Sequence, residues 1–466
     1  MTPSRSIPAE QSVSCAINRA AGGRPVPGNQ VHLLIDGPTT YRAMLDVIGQ
    51  ATRWVHFENY IIRSDDAGWR FAELLAARAR DGLHVRVLYD WLGSLGTSRN
   101  FWRHLRSAGV EVRAFHPPQL VDAVTNVSRN HRKLVVADGT RAVIGGLCIG
   151  CEWTGEGRSG GQPWRDTAVE IHGPAAAVLD QTFVDAWKVA GGSVPPDQVA
   201  GVVTPQGGAS VRVISGEPGR ERAYRVIELL AAGSVERLWI TDAYLVAPPR
   251  LFQALRDCAR DGVDVRLLVP GSSDLPLIRN ISRIGYRDLL RSGVRIYEWD
   301  GPMLHAKSIV CDDRWVRVGS SNLNPSSLLG NYELDVLIQD EELAEAMQGQ
   351  FRRDVARSRE VASRPVRGPR RISQALPAVL THQDPQVSQS EYHRSGRDRR
   401  RQAVLVLRAV ASNARRSVFG PISALFMALG LLFVALPRES AYVLAALCAW
   451  FALGAGREAF RRRADR

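Results

Sequence analysis

Cysteine is scarce in this 466-residue chain: Cys15, Cys148, Cys151, Cys258, Cys311 and Cys448 are scattered, with no paired framework. That excludes a disulfide-stapled secreted domain and suits a reducing compartment. Cys148 and Cys151 have Cys-x-x-Cys spacing, but the two further ligands that a zinc site needs are missing from their neighbourhood. Residues 1–27 are rich in Pro, Gly, Ser and Ala and lack the apolar stretch of a secretory signal, so they read as a flexible N-terminal tail.

Excess charge is missing from most of the chain. Lys+Arg of 60 against Asp+Glu of 47 gives +13, yet thirteen arginines against three carboxylates put +10 of it in residues 394–466, the adjacent Arg438 and Glu439 cancelling. The body is near neutral and lacks the basic groove that a phosphate backbone demands, which argues against a nucleic-acid partner. Charge is absent altogether from residues 417–436 and 440–456, two runs of 20 and 17 residues separated by Pro437-Arg438-Glu439. At the helical rise these would reach roughly 30 and 25 Å, and neither keeps the polar stripe of a docked surface helix. A hydrophobic helical hairpin in a membrane is expected over residues 417–456. It follows a linker and basic segment (359–416) and precedes a basic tail (457–466). The flanking arginines place both outer ends, and the body with them, on the cytoplasmic side and favour an anionic membrane.

What the body does have is repetition. Asp81-Gly82-Leu83-His84-Val85-Arg86-Val87-Leu88 returns as Asp261-Gly262-Val263-Asp264-Val265-Arg266-Leu267-Leu268, and Ala108-Gly109-Val110 is echoed by Ser292-Gly293-Val294. The offsets, 180 and 184 residues, are those of a duplicated domain and too long for a solenoid. Apolar alternation predicts strands over residues 31–35 and 54–62, and helical periodicity predicts a helix over residues 40–52. Helices alternate with β-branched strands, and a glycine ends each helix before the next strand, so the fold class is α/β with layers in each half. The halves are expected over residues 28–200 and 208–358, joined by a Pro/Gly/Gln-rich stretch near residues 195–210.

The repeat also carries chemistry. His131, Lys133 and Asp138 return, 174 residues on, as His305, Lys307 and Asp312, and each triplet is followed seven residues after its aspartate by a small-residue turn, Gly145-Gly146-Leu147-Cys148 and Gly319-Ser320-Ser321-Asn322. Period two puts each His and its Lys on one face of a strand. A phosphodiester exchanged through a covalent intermediate needs a nucleophile on one side of phosphorus and a proton donor on the other. Two histidines from two halves supply both, and the lysines supply fixed positive charge to the nonbridging oxygens. No metal or other cofactor is required. Asp138 and Asp312 end their strands and read as loop ties. Glu58 and Asp242 occupy comparable strand ends and are candidates to face the cleft.

At these two triplets the sequence resembles the phospholipase D superfamily, and within it the bacterial cardiolipin synthases. The resemblance covers roughly residues 30–358 and implies two duplicated phospholipase D-like α/β/α sandwich domains related by a pseudo-two-fold axis. It further implies a phospholipid substrate such as phosphatidylglycerol, and action at the bacterial inner membrane. By resemblance, Asp166 in Trp164-Arg165-Asp166 and Glu333 in Asn331-Tyr332-Glu333 orient the histidines, and Asn322, with Ser320 and Gly146, binds phosphate. His131 is the implied nucleophile and His305 the acid/base. The first copy departs from the pattern in having Cys148 where asparagine is expected, and a thiol is a poor donor, which weakens that half-site. The hydrophobic pair is also C-terminal where typical cardiolipin synthases have it N-terminal. The same residues serve transfer to an alcohol or hydrolysis by water, and a lipid-binding adaptor with a decayed site is a third reading.

Overall fold

The computed structural model describes residues 9–117, 128–156 and 161–362. The first half runs α1 (Ala9–Ala21), β1 (Val26–Ile35), α2 (Asp36–Gly49), β2 (Trp54–Asn59), α3 (Asp66–Arg80), β3 (His84–Asp90), α4 (Arg99–Ser107), β4 (Glu111–Phe115), β5 (Leu134–Ala137), β6 (Arg141–Gly145), α5 (Cys151–Thr154), β7 (Thr167–His172) and α6 (Pro174–Val189). The second continues with β8 (Ala209–Gly216), α7 (Arg222–Gly233), β9 (Arg237–Thr241), α8 (Pro249–Arg260), β10 (Asp264–Pro270), α9 (Pro276–Arg291), β11 (Arg295–Trp299), β12 (Ser308–Cys311), β13 (Trp315–Gly319), β14 (Glu333–Gln339), α10 (Glu341–Ala356) and β15 (Ser358–Glu360). The repeated Asp-Gly is a helix stop: Gly82 and Gly262 follow α3 and α8 with φ of 92° and 93°, a left-handed conformation that glycine adopts without strain.

The fifteen strands of the described residues join one sheet, in the order β15-β11-β10-β9-β12-β13-β14-β8-β1-β7-β6-β5-β2-β3-β4. Outward from the central β8/β1 pair, one wing reads β7-β6-β5-β2-β3-β4 and the other β14-β13-β12-β9-β10-β11. The halves therefore repeat one order in opposite directions, and β15 extends the second wing. Antiparallel pairing of β1 with β8 fuses them, and the described residues form one compact unit.

Three cores follow from that sheet. On one face α6 and α10 cover a core common to both halves, with Leu134, Val136, Phe183 and Trp187 from the first and Val310, Val318, Leu343 and Phe351 from the second. The other face carries two separate cores. One packs Val55, Phe57, Phe71 and Phe101 under α2, α3 and α4, and the other packs Ile240, Leu251, Leu289 and Ile296 under α7, α8 and α9.

The flexible tail expected over residues 1–27 is corrected by α1. Ile17, Ala20 and Ala21 of this helix are buried in the core that contains α7, and Asn18 Oδ1 and Ser14 Oγ accept hydrogen bonds of 2.8 and 2.7 Å from the guanidinium of Arg212 on β8. A short helix between Pro- and Gly-rich stretches gives too weak a periodicity to stand out in sequence. The helix expected from residue 40 begins at Asp36, because β1 passes into α2 without a loop. The linker expected from residue 359 starts later, because Arg359 and Glu360 belong to β15 and pair with β11; residues 363–416, the hairpin and the basic tail lie outside the described residues. Among the described residues no helix is long and apolar enough to cross a membrane.

Candidate active site

The two triplets flank β5 and β12, the third strands of the two wings counted from the central pair. Leu134 pairs with Glu58 on β2 and Ile144 on β6, and Ser308 pairs with Thr241 on β9 and Val318 on β13. One residue further along this register, Lys133 stands level with Asn59 and Gly145, and Lys307 level with Asp242 and Gly319. Residues directly opposite in an antiparallel pair project from the same face. Asp242 and Lys307 thus share a face, and Asp242 is among the carboxylates that favour the charged lysine. Glu58 is level with Leu134 and projects from the other face, where it accepts a 2.7 Å hydrogen bond from Asn130 Nδ2. The likeness of Glu58 to Asp242 is therefore corrected by one residue: the counterpart of Asp242 is Asn59.

Each histidine is held by the acid of the opposite half. His131 Nδ1 lies 2.9 Å from Glu333 Oε2, and His305 Nδ1 lies 2.7 Å from Asp166 Oδ2. Backbone locks the exchange, since His131 N–H donates to Tyr332 O at 2.9 Å and His305 N–H to Arg165 O at 2.7 Å. Arg165, between Trp164 and Asp166, makes a bidentate pair with Asp354 on α10, with contacts of 3.1 and 2.8 Å. Sequence order alone conceals this crossing, because each acid follows the histidine of its own half.

His305, both acids and both lysines are buried and His131 is half-buried, which disfavours their charged forms unless a partner compensates. Burial and the nearby Lys307 push the His305 ring down to about 4, and burial lowers His131 as well. Lys307 also lowers His131, and Lys133 lowers His305, so each ring feels the lysine of the other half. Burial works to raise Asp166 and Glu333, but the facing histidines and lysines overcome it and hold both carboxyls below their ordinary values. The resting state is an ionised acid accepting Nδ1–H from a neutral ring, which leaves Nε2 with its lone pair. Lys133 and Lys307 are drawn down by burial, Lys307 to about 8, and each donates to the carbonyl of its own histidine, His131 O and His305 O.

Two expected phosphate ligands have other partners. Gly146 N–H is given to Thr167 O at 3.2 Å, and a Cβ at this position would meet Asp166 Oδ1 at 2.3 Å, so the glycine makes room for the orienting acid. Ser320 donates to Glu333 Oε2 at 2.5 Å and fixes that carboxylate. Asn322 is buried with its Oδ1 unpartnered and its Nδ2 a long 3.4 Å from Ser327 Oγ. Asp138 and Asp312 sit at the other ends of their strands. Asp138 Oδ1 accepts from Arg53 N and Trp54 N at 2.8 and 2.9 Å, and Asp312 Oδ1 from Glu236 N and Arg237 N at 2.9 and 3.1 Å.

Three aromatic residues escaped the sequence reading. Tyr60 and Tyr244 set their rings edge-on to His131 and His305 at 5.0 and 6.1 Å, with Lys133 and Lys307 over the same rings at 5.2 and 5.9 Å. Their recurrence just after equivalent strands was the available signal. Trp153 Nε1 donates to Asp166 Oδ2 at 3.0 Å, the same oxygen that meets His305 Nδ1.

The family model described as cardiolipin synthase, PLD-like domain, matches residues 226–355. Cardiolipin synthase A of Pseudomonas fluorescens Pf-5 is 32% identical over 351 residues, covering 74% of this chain and 72% of the relative. Cardiolipin synthase A of Pseudomonas putida W619 is 34% identical over 362 residues, covering 76% and 75%. Among solved structures, phosphatidylserine synthase of Haemophilus influenzae Rd KW20 superposes with a TM-score of 0.61 over 75% of this chain and 92% of that one, at 16% identity, a likeness of fold. With both His–Lys pairs in one cluster and relatives of this identity over most of its length, the chain belongs to the cardiolipin synthase family of the phospholipase D superfamily.

Proposed function

We propose that this protein is a phosphatidyltransferase that converts phosphatidylglycerol to cardiolipin and glycerol through a phosphohistidine. The observation that carries the reading is the crossed pair: two neutral imidazoles, each held by Nδ1 on a carboxylate of the opposite half, with two lysines acting on both. His131 Nε2 attacks phosphorus, the bond from phosphorus to the glycerol oxygen breaks, and that oxygen takes a proton from His305. In the second step the hydroxyl of another phosphatidylglycerol gives its proton to His305 and attacks phosphorus, and His131 leaves. Arrival of the anionic diester between the rings favours uptake of a solvent proton by His305 Nε2, which the first step gives to the glycerol oxygen and the second step restores. Lys133, Lys307 and Asn322 face the nonbridging oxygens, while Asp166, Glu333, Gly146 and Ser320 hold the rings in one tautomer. The bacterial relatives support action at a membrane. The apolar runs at residues 417–456 supply an anchor, and the arginines around them supply attraction for anionic lipid.

The test is incubation of the purified chain with labelled phosphatidylglycerol in mixed micelles, with and without EDTA. Cardiolipin and glycerol in equal amounts, unaffected by chelator, are expected. Phosphatidic acid as the main product would make the enzyme a hydrolase, no product an adaptor, and loss in EDTA restored by Mg²⁺ a metal-dependent chemistry.

A further inference from the structure

We infer that Asn59 is the phosphate-facing carboxamide of the first half-site and stands in for the asparagine that Cys148 replaces. The inference rests on the phosphodiester reading of the cleft and goes beyond it in assigning the residue. The two turns are equivalent in register, so Cys148 matches Asn322 in sequence, and Asn59 matches Asp242 through the pairing of β2 with β5 and of β9 with β12. The second half thus has a carboxylate beside its lysine and an amide in its turn. The first half has the amide beside its lysine and a thiol in its turn. Each half-site keeps one carboxamide.

The state of the Asn59 side chain supports this role. It is 1% exposed and shares a sheet face with Lys133. Its Nδ2 reaches Leu147 O, the carbonyl just before Cys148, at 3.3 Å, and its Oδ1 is buried without a partner. Asn322 Oδ1 in the other half-site is likewise buried and unpartnered. An amide nitrogen carries two hydrogens, of which Leu147 O engages one, so the second is the donor that Asn59 can offer a phosphate oxygen, while the unpartnered Oδ1 can accept only from a donor such as an incoming hydroxyl. Cys148 offers nothing comparable: burial raises its thiol pKa and keeps it neutral, and a thiol is a weak donor. Neutral Asn59 also leaves Lys133 without the adjacent carboxylate that Asp242 gives Lys307, which favours an anion at the first half-site.

The test uses the full chain and four variants: Asn59→Ala, Asn59→Asp, Cys148→Asn, and Asn59→Ala with Cys148→Asn. Two readouts are taken, kcat/KM on phosphatidylglycerol in mixed micelles and affinity for inorganic phosphate by titration calorimetry. Loss of one preorganised donor costs roughly 100- to 1,000-fold in rate in comparable sites, so Asn59→Ala should lose about 100-fold or more in kcat/KM and bind phosphate several-fold more weakly. Restoration of both readouts in the double variant is the expected result that a structural role for Asn59 would not give. Asn59→Asp, which keeps the shape but repels phosphate, should lose at least as much and covers the case in which the alanine variant does not fold. Unchanged phosphate affinity in Asn59→Asp, or no recovery in a folded double variant, would overturn the assignment. If the parent chain binds phosphate through Asn59 but forms no lipid product, the lipid reading fails and this assignment stands.

Discussion

Lys307 loses its charge not far above neutral pH, because burial draws its pKa to about 8. A lowered lysine pKa means that the proton leaves as pH rises through that value, taking with it the charge proposed to meet the phosphate. The ratio kcat/KM reports the free enzyme, so its pH profile should fall on the alkaline side with an apparent pKa near 8. Lys307→Arg should shift that limb upward, since arginine stays protonated. A profile flat to pH 9.5 in the parent would remove Lys307 from the electrostatics. The crossed acids give a second expectation. Asp166→Asn should cost roughly 10³- to 10⁴-fold in kcat by leaving His305 without its orienting carboxylate, and should change the titration of the His305 ring while leaving that of His131 in place. Histidine resonances followed by NMR read this directly, and movement of His131 instead would mean that each acid serves its own half. The histidines and lysines were legible in sequence because a duplicated triplet with a duplicated turn is rarely accidental. The crossing was not, because it depends on where β7 and β14 fall in the sheet, and neither acid's distance from its own histidine encodes that.

At the scale of elements, Asp138 and Asp312 show how a motif residue can serve the strand that carries the site. Both have positive φ, 55° and 50°, at the turn after the catalytic strand, and their carboxylates collect the N–H groups that open β2 and β9. Asp138→Ala should therefore lower stability by about 1–3 kcal/mol, the cost of leaving such donors unmet, seen as a lower urea midpoint with kcat of the folded fraction retained. A large fall in kcat at an unchanged midpoint would put Asp138 at the substrate. The alternation of strands with glycine-stopped helices was readable from period and punctuation. The one-residue offset that makes Asn59, rather than Glu58, the counterpart of Asp242 was not, since an extra residue, Ala243, separates Asp242 from its tyrosine and only the pairing register shows it.

At the scale of the whole molecule, the duplication produces one continuous sheet, so neither half holds a complete site: each contributes a histidine and the acid for the other. Truncation after residue 362 keeps β15, which pairs with β11, and removes the apolar runs and most of the net charge. The truncated protein should stay folded and retain its rate on detergent-dispersed lipid while losing most of its rate on phosphatidylglycerol vesicles. Equal rates on vesicles would make the C-terminal segment dispensable for reaching lipid. The measurement that tests double displacement most directly is rapid denaturing quench of the full chain during turnover of labelled phosphatidylglycerol, followed by peptide mapping of the bound label. A phosphoramidate on His131, formed at least as fast as product and absent from His131→Ala, is expected; steady cardiolipin production with no histidine adduct at any time would contradict it.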